Sequence, residues 1–144
     1  MMMVRDDEQS ALAELRAWGG GLLVRYRMLI DGPMDAGLRD SLQETIDERA
    51  PLLDELAVMA AARGDRPTAA DYEVNQFRAV VDQLVGAFGA YGVSVVRLRD
   101  AERAWLALLR EAERLDWRPA EAELLQRLYR HAEGAVERLS LGSE

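Results

Sequence analysis

The sequence predicts an all-α protein, an elongated antiparallel four-helix bundle with a long heptad-patterned third helix, built as a single domain over residues 1–144. Three observations lead there. Apolar residues recur in steps of three and four through four segments, the spacing that lines one face of a helix. Turn signals at Asp31-Gly32-Pro33, Arg63-Gly64-Asp65-Arg66-Pro67 and Arg118-Pro119 separate those segments. The stretch Gln83–Val96 carries no charge in a chain that is 31% charged. It is apolar on both helical faces and is therefore expected at the centre of the molecule.

Ser10 is expected to cap the first helix, with Asp6, Asp7 and Glu8 near its positive end. Its seam reads Leu12, Leu15, Gly19, Leu22, Tyr26 and Leu29. Gly19, Gly20 and Gly21 interrupt the seam at a cost of about 1 kcal/mol each relative to alanine. Such a cost predicts either a break or a close approach of another backbone.

The second helix is expected from about Asp35 to Arg63, with Leu38, Leu42, Ile46, Leu53, Leu56 and Ala60 on its seam. Pro51 removes one backbone donor in its middle, which predicts a kink or short interruption near Arg49. Arg63-Gly64-Asp65 reads as a helix stop rather than an adhesion motif.

The third helix is expected to start at Thr68 or Asp71 and to run without a break to about Trp117. Its seam holds Phe77, Val81, Leu84, Phe88, Tyr91, Val95, Leu98, Trp105, Leu109 and Ala112, with Glu102 the one polar intruder. Ser94 then lies inside the helix, its hydroxyl bonding back to the preceding turn. The last helix opens at Pro119, a residue suited to the first helical position, and carries Leu125, Leu128, Ala132, Ala135 and Leu139 on its seam, with a frayed end from Leu141.

Counting from the turns gives a layout. Folding at residues 32 and 65 sets Gly20 opposite Glu44 and Glu44 level with Gly86, so the glycines of helices one and three meet and let the two backbones approach. Beyond about residue 96 the third helix outruns the second. It then has only the last helix as a neighbour. Two helices alone cannot bury Trp105, Leu106, Leu108, Leu109, Leu115, Leu124, Leu125 and Leu128. Either the third helix breaks and closes a compact bundle, or another chain completes that end. The latter makes the Arg97–Leu139 hairpin an interface with Trp105, Leu108, Leu109, Leu125 and Leu128 as binding residues, and a homodimer or a helical protein as partner.

Composition narrows the chemistry. A formal charge of −8 and a pI near 4.8 argue against nucleic acid and anionic membrane surfaces. There is no cysteine, and all 18 basic residues are arginine, which excludes thiolate sites, Schiff-base lysines and a phosphate-loop lysine. No signal pattern opens the chain and no uncharged run approaches the ~20 residues of a membrane span, so a cytoplasmic protein is expected. His131 is the only histidine and has Leu128, not Glu, three residues before it, so a ferritin-like di-iron centre is not expected. His131 reads instead as a solvated residue near a helix C-terminus. Gly92-Val-Ser94 lacks the second glycine of a nucleophile elbow, and Gly86, Gly89 and Gly92 follow no strand that would make a dinucleotide fingerprint. Carboxylates such as Asp47, Glu48, Asp54, Glu55, Glu111 and Glu113 alternate with arginines at helical spacing, as on a solvated face. No catalytic residue, metal or cofactor is expected.

Leu38-Arg39-Asp40 through Ile46, followed by Arg49-Ala50-Pro51-Leu52-Leu53-Asp54-Glu55-Leu56, resembles the second helix of flagellar type III export chaperones of the FlgN and FliT kind. That resemblance implies a small acidic helical protein that holds an export substrate on its later helices. The expected function is non-catalytic protein–protein interaction, as an oligomeric adaptor or an export-chaperone-like binding protein. A homodimeric structural or regulatory bundle is the alternative, and an enzyme with an unrecognised carboxylate site the remote one.

Overall fold

In the computed structural model, residues 6–64 and 94–142 are described. They form four helices and no strand: α1 (Asp7–Asp31), α2 (Ala36–Ala62), α3 (Val95–Ala112) and α4 (Pro119–Gly142). The expected seam residues Phe77 to Tyr91, with Gly86 and Gly89, lie outside the described residues.

The cap of α1 is Asp6, not Ser10. Asp6 Oδ1 accepts from the Gln9 backbone N–H at 2.7 Å, and Gln9 Oε1 accepts from the Asp6 N–H at 3.0 Å. This reciprocal box satisfies two of the four unpaired donors at a helix start, and it leaves Ser10 exposed within the first turns. The three glycines do not break α1. A Cβ on Gly19 would meet Leu53 Cδ2 at 2.7 Å and Trp105 Cζ2 at 3.1 Å, whereas one on Gly20 would meet nothing within 4 Å. Gly19 therefore makes room for two side chains, from α2 and α3, rather than for a facing backbone.

Asp31-Gly32-Pro33 ends α1 as expected. Asp35 caps α2 by accepting from the Leu38 N–H at 3.1 Å. Arg39 then reaches back to donate to the carbonyls of Ile30 (3.1 Å) and Gly32 (2.9 Å), supplying donors that the end of α1 lacks. The expected interruption at Pro51 is absent, since α2 is continuous through it. Pro51 faces solvent, while Ile46, Arg49 and Leu56 on either side of it are buried. Packing of that face holds the helix across the one missing hydrogen bond. Gly64 takes a φ of 86°, the left-handed conformation that ends helices and favours glycine. The stop at Arg63-Gly64 is as read from the sequence.

The long third helix is the main correction. Ser94 has extended dihedrals (φ −126°, ψ 160°) and its Oγ accepts from the Arg97 N–H at 3.2 Å, so it is an N-cap and α3 begins at Val95. No helix passes through Ser94. Serine is among the strongest capping residues, and here the cap prevails over the apolar periodicity. At the other end α3 stops at Ala112 rather than Trp117.

A helix that starts at Val95 resets the layout. α1 packs against α2 and α3, and α4 packs against the same two helices, so the order around the bundle is α1, α2, α4, α3. The Arg97–Leu139 hairpin thus has the first two helices beside it, and the expected overhang does not arise. Leu12, Leu22, Leu42, Leu56, Trp105 and Leu128 belong to one continuous buried core fed by all four helices. Among the described residues, no helix is long and apolar enough to cross a membrane.

Candidate functional site

The core is not purely apolar. Arg49 from α2 and Glu102 from α3 are both 0% exposed. Arg49 donates from Nη1 to Glu102 Oε1 at 2.8 Å and from Nη2 to Oε2 at 3.1 Å, a forked pair. Tyr26 of α1 donates its hydroxyl proton to Glu102 Oε1 at 3.0 Å. Arg49 Nε donates to His131 Nδ1 of α4 at 2.8 Å. Each helix therefore contributes one side chain to a single network. Trp105 lies under it, its ring centroid 4.5 Å from the guanidinium carbon, a stacking that stabilises a desolvated cation. The indole N–H donates to the Leu15 carbonyl at 3.0 Å, an approach that the missing Cβ of Gly19 allows.

The electrostatics follow from this arrangement. Burial pushes the Tyr26 hydroxyl well above its ordinary range, and the Glu102 carboxylate adds to that, so Tyr26 stays a donor. Burial, then the Arg49 charge, holds His131 down at about 4. With Nδ1 accepting from Arg49, the neutral ring carries its proton on Nε2, which points toward Glu48 Oε1 at 3.6 Å. Glu48 in turn is held below the usual carboxylate range, chiefly by its hydrogen bond with Arg138. The sequence reading of His131 as a solvated residue is thereby corrected: its side chain is 14% exposed and serves as the acceptor for a buried arginine.

Chemically the Arg49–Glu102–Tyr26 part of the network is closed, while His131 Nε2 is buried and makes no hydrogen bond among the described residues. Both Glu102 oxygens are occupied, and Arg49, Glu102 and Tyr26 are beyond the reach of solvent. Among the described residues, no three His, Cys, Asp or Glu side chains group so as to hold a metal.

Of the residues expected to bind a partner, Trp105, Leu109, Leu125 and Leu128 are 0% exposed. The chain's own helices cover them, so they form core rather than a free surface. Leu108 is half-buried and lines a groove of about 310 Å³ between α1 and α3, together with Ala11, Leu15 and Leu115.

A larger groove of about 480 Å³ runs between α2 and α4. Its apolar lining is Val58, Met59, Ala120 and Leu124, and its polar lining is Asp54, Glu55, Glu121, Glu123 and Arg127. Val58 is 69% exposed. Glu55 and Arg127 form a forked pair across the groove at 3.0 and 3.1 Å. Glu121 turns away to a forked pair with Arg63 at 2.6 and 2.7 Å. The sequence reading passed over this surface because Asp54, Glu55 and Val58 sit on the polar side of the α2 seam. Only the position of α4 turns that side into a wall.

In comparisons with known proteins, no family model matches the chain, and no curated protein or solved structure matches it.

Proposed function

We propose that this chain is a non-catalytic binding protein: an antiparallel, cytoplasmic four-helix bundle that holds an apolar segment of another protein in the groove between α2 and α4. The observation that carries this reading is Val58, a large apolar side chain exposed beside Met59, Ala120 and Leu124 in a groove formed by two helices. An apolar patch rimmed by polar residues marks an interaction site. The antiparallel order is supported by two contacts of α1 with α2. Gln9, at the start of α1, donates to the Arg63 carbonyl at 2.5 Å, and Arg39, near the start of α2, reaches Ile30 near the end of α1.

A non-catalytic role is supported by the closure of the Arg49–Glu102 pair, whose donors and acceptors are turned on one another away from solvent. The stretch that resembles flagellar export chaperones falls on α2 and includes Asp54 and Glu55 of the groove wall, which makes a chaperone-like holding role the most specific form of this reading. The test is a nuclear magnetic resonance titration of the labelled full chain with an amphipathic helical peptide. The expected result is shifts centred on Val58, Met59 and Leu124. Shifts confined to other faces, or none at millimolar peptide, would overturn the assignment.

A further inference from the structure

Taking the α2–α4 groove as the binding surface, we propose that its occupant is a cationic amphipathic helix, a partner segment whose apolar stripe is flanked on both sides by arginine or lysine. The charge census of the groove carries this. Four carboxylates line it against one cation, Arg127. Two of the four are already engaged, Glu55 by Arg127 and Glu121 by Arg63. Asp54 on the α2 wall and Glu123 on the α4 wall are exposed and make no ion pair among the described residues, although Glu123 lies within the field of Arg127.

An occupant covering Val58 and Leu124 brings low-dielectric surface up to these two carboxylates. An uncharged occupant desolvates them without return, and an anionic one repels them. Cations on both flanks of the occupant compensate both walls at once. Its helical form follows from the groove itself. Each wall presents residues at helical spacing, Asp54 and Val58 on one side, Ala120, Leu124 and Arg127 on the other, and a furrow between two helices takes the ridge of a third. No strand edge exists among the described residues for an extended segment to pair with.

The experiment uses two synthetic peptides with one shared apolar stripe, flanked by arginine in the first and by glutamate in the second. Binding to the full chain is read by fluorescence anisotropy. The arginine-flanked peptide is expected to bind at least about tenfold more tightly, and to lose most of that advantage between about 50 mM and about 500 mM salt. The Asp54→Arg/Glu123→Arg double variant, with its fold checked by circular dichroism, is expected to reverse the preference. Equal binding of both peptides that Val58→Asp abolishes would leave the groove as a binding surface and overturn the cationic occupant. Binding of neither peptide would overturn the groove reading with it. A dimer in sedimentation that Val58→Asp dissociates would assign the groove to a second copy, and a photocrosslink from position 58 to residues 65–93 of the same chain would assign it to the chain itself. Either result would overturn the cationic partner.

Discussion

The bundle contains the same assembly twice. In its interior, Arg49 forks onto Glu102 and stacks on Trp105, whose indole N–H donates to a helix carbonyl. At the end where α2 stops and α4 starts, Arg63 forks onto Glu121 and stacks on Trp117 at 5.0 Å, and that indole N–H donates to the Ala112 carbonyl at 2.6 Å. Arg49 lies within α2 and Arg63 is the residue that caps its C-terminus. Exposure separates them: both interior side chains are 0% exposed, whereas Arg63 and Glu121 remain 16% and 10% exposed. Identical chemistry therefore has different consequences. A fully desolvated pair repays its hydration only while both partners are present. The outer pair keeps some water as a substitute partner and behaves more like a surface clasp.

The largest effect is expected at the interior pair. Glu102→Ala strands the Arg49 charge and also removes the acceptor of Tyr26, and it should cost about 3–5 kcal/mol in chemical denaturation. A loss under 1 kcal/mol would mean that water reaches Arg49 and that the contrast between the two sites is not one of burial. The double variant Arg49→Met/Glu102→Leu removes both charges and fills the space with apolar groups. It should recover most of that loss, and gains of about 1–4 kcal/mol over the parent have precedent in other buried pairs. If the double variant is no better than Glu102→Ala, packing rather than desolvation governs the site.

His131 gives the next effect, and its sign is fixed. Its folded value of about 4 lies below the ordinary 6.5, so the unfolded chain takes up the proton first as the pH falls. Its contribution to stability is full above about pH 6.5 and is lost as the pH drops toward 4. Allowing for partial solvent contact, the loss should be about 1–2 kcal/mol. His131→Gln offers Arg49 an acceptor that does not titrate. The stability difference between parent and variant should therefore shift with pH over that window, and a difference independent of pH would end the idea. Glu121→Ala is expected to be the mildest, at about 1 kcal/mol. A cost equal to that of Glu102→Ala would erase the distinction between the two assemblies.

How much of this could be read from residues alone varied with the physics involved. Helix boundaries set by a few adjacent residues were legible at once: the stops at Asp31-Gly32-Pro33 and Gly64 and the start at Pro119. The cap of α1 was not: Ser10 is the residue the sequence suggests, and Asp6 takes the position because Gln9 returns a hydrogen bond to it. Ser94 was misread because its apolar neighbours suggested continuity, while the dihedrals that make it a cap are a property of the folded chain. Glu102 was visible as the intruder on its seam. Its partners were not, because Tyr26, Arg49 and His131 lie far away in sequence on three other helices. The groove had no sequence signal at all, since it exists only where α2 and α4 meet.

One side chain from every helix enters the interior network, and this bears on how the molecule comes apart. Fraying of a single helix ordinarily costs only the contacts of that helix, which allows partial opening well below the global unfolding free energy. Here, withdrawing α2 leaves Glu102 charged among apolar groups, withdrawing α3 does the same to Arg49, and withdrawing α1 or α4 removes a neutral hydrogen-bond partner from the pair. Partly unravelled states that detach α2 or α3 thus carry a penalty that the fully unfolded chain, with both charges in water, does not. Amide hydrogens near Arg49 and Glu102 are therefore expected to exchange together, through opening of the whole bundle, while those flanking the exposed Leu141 exchange early.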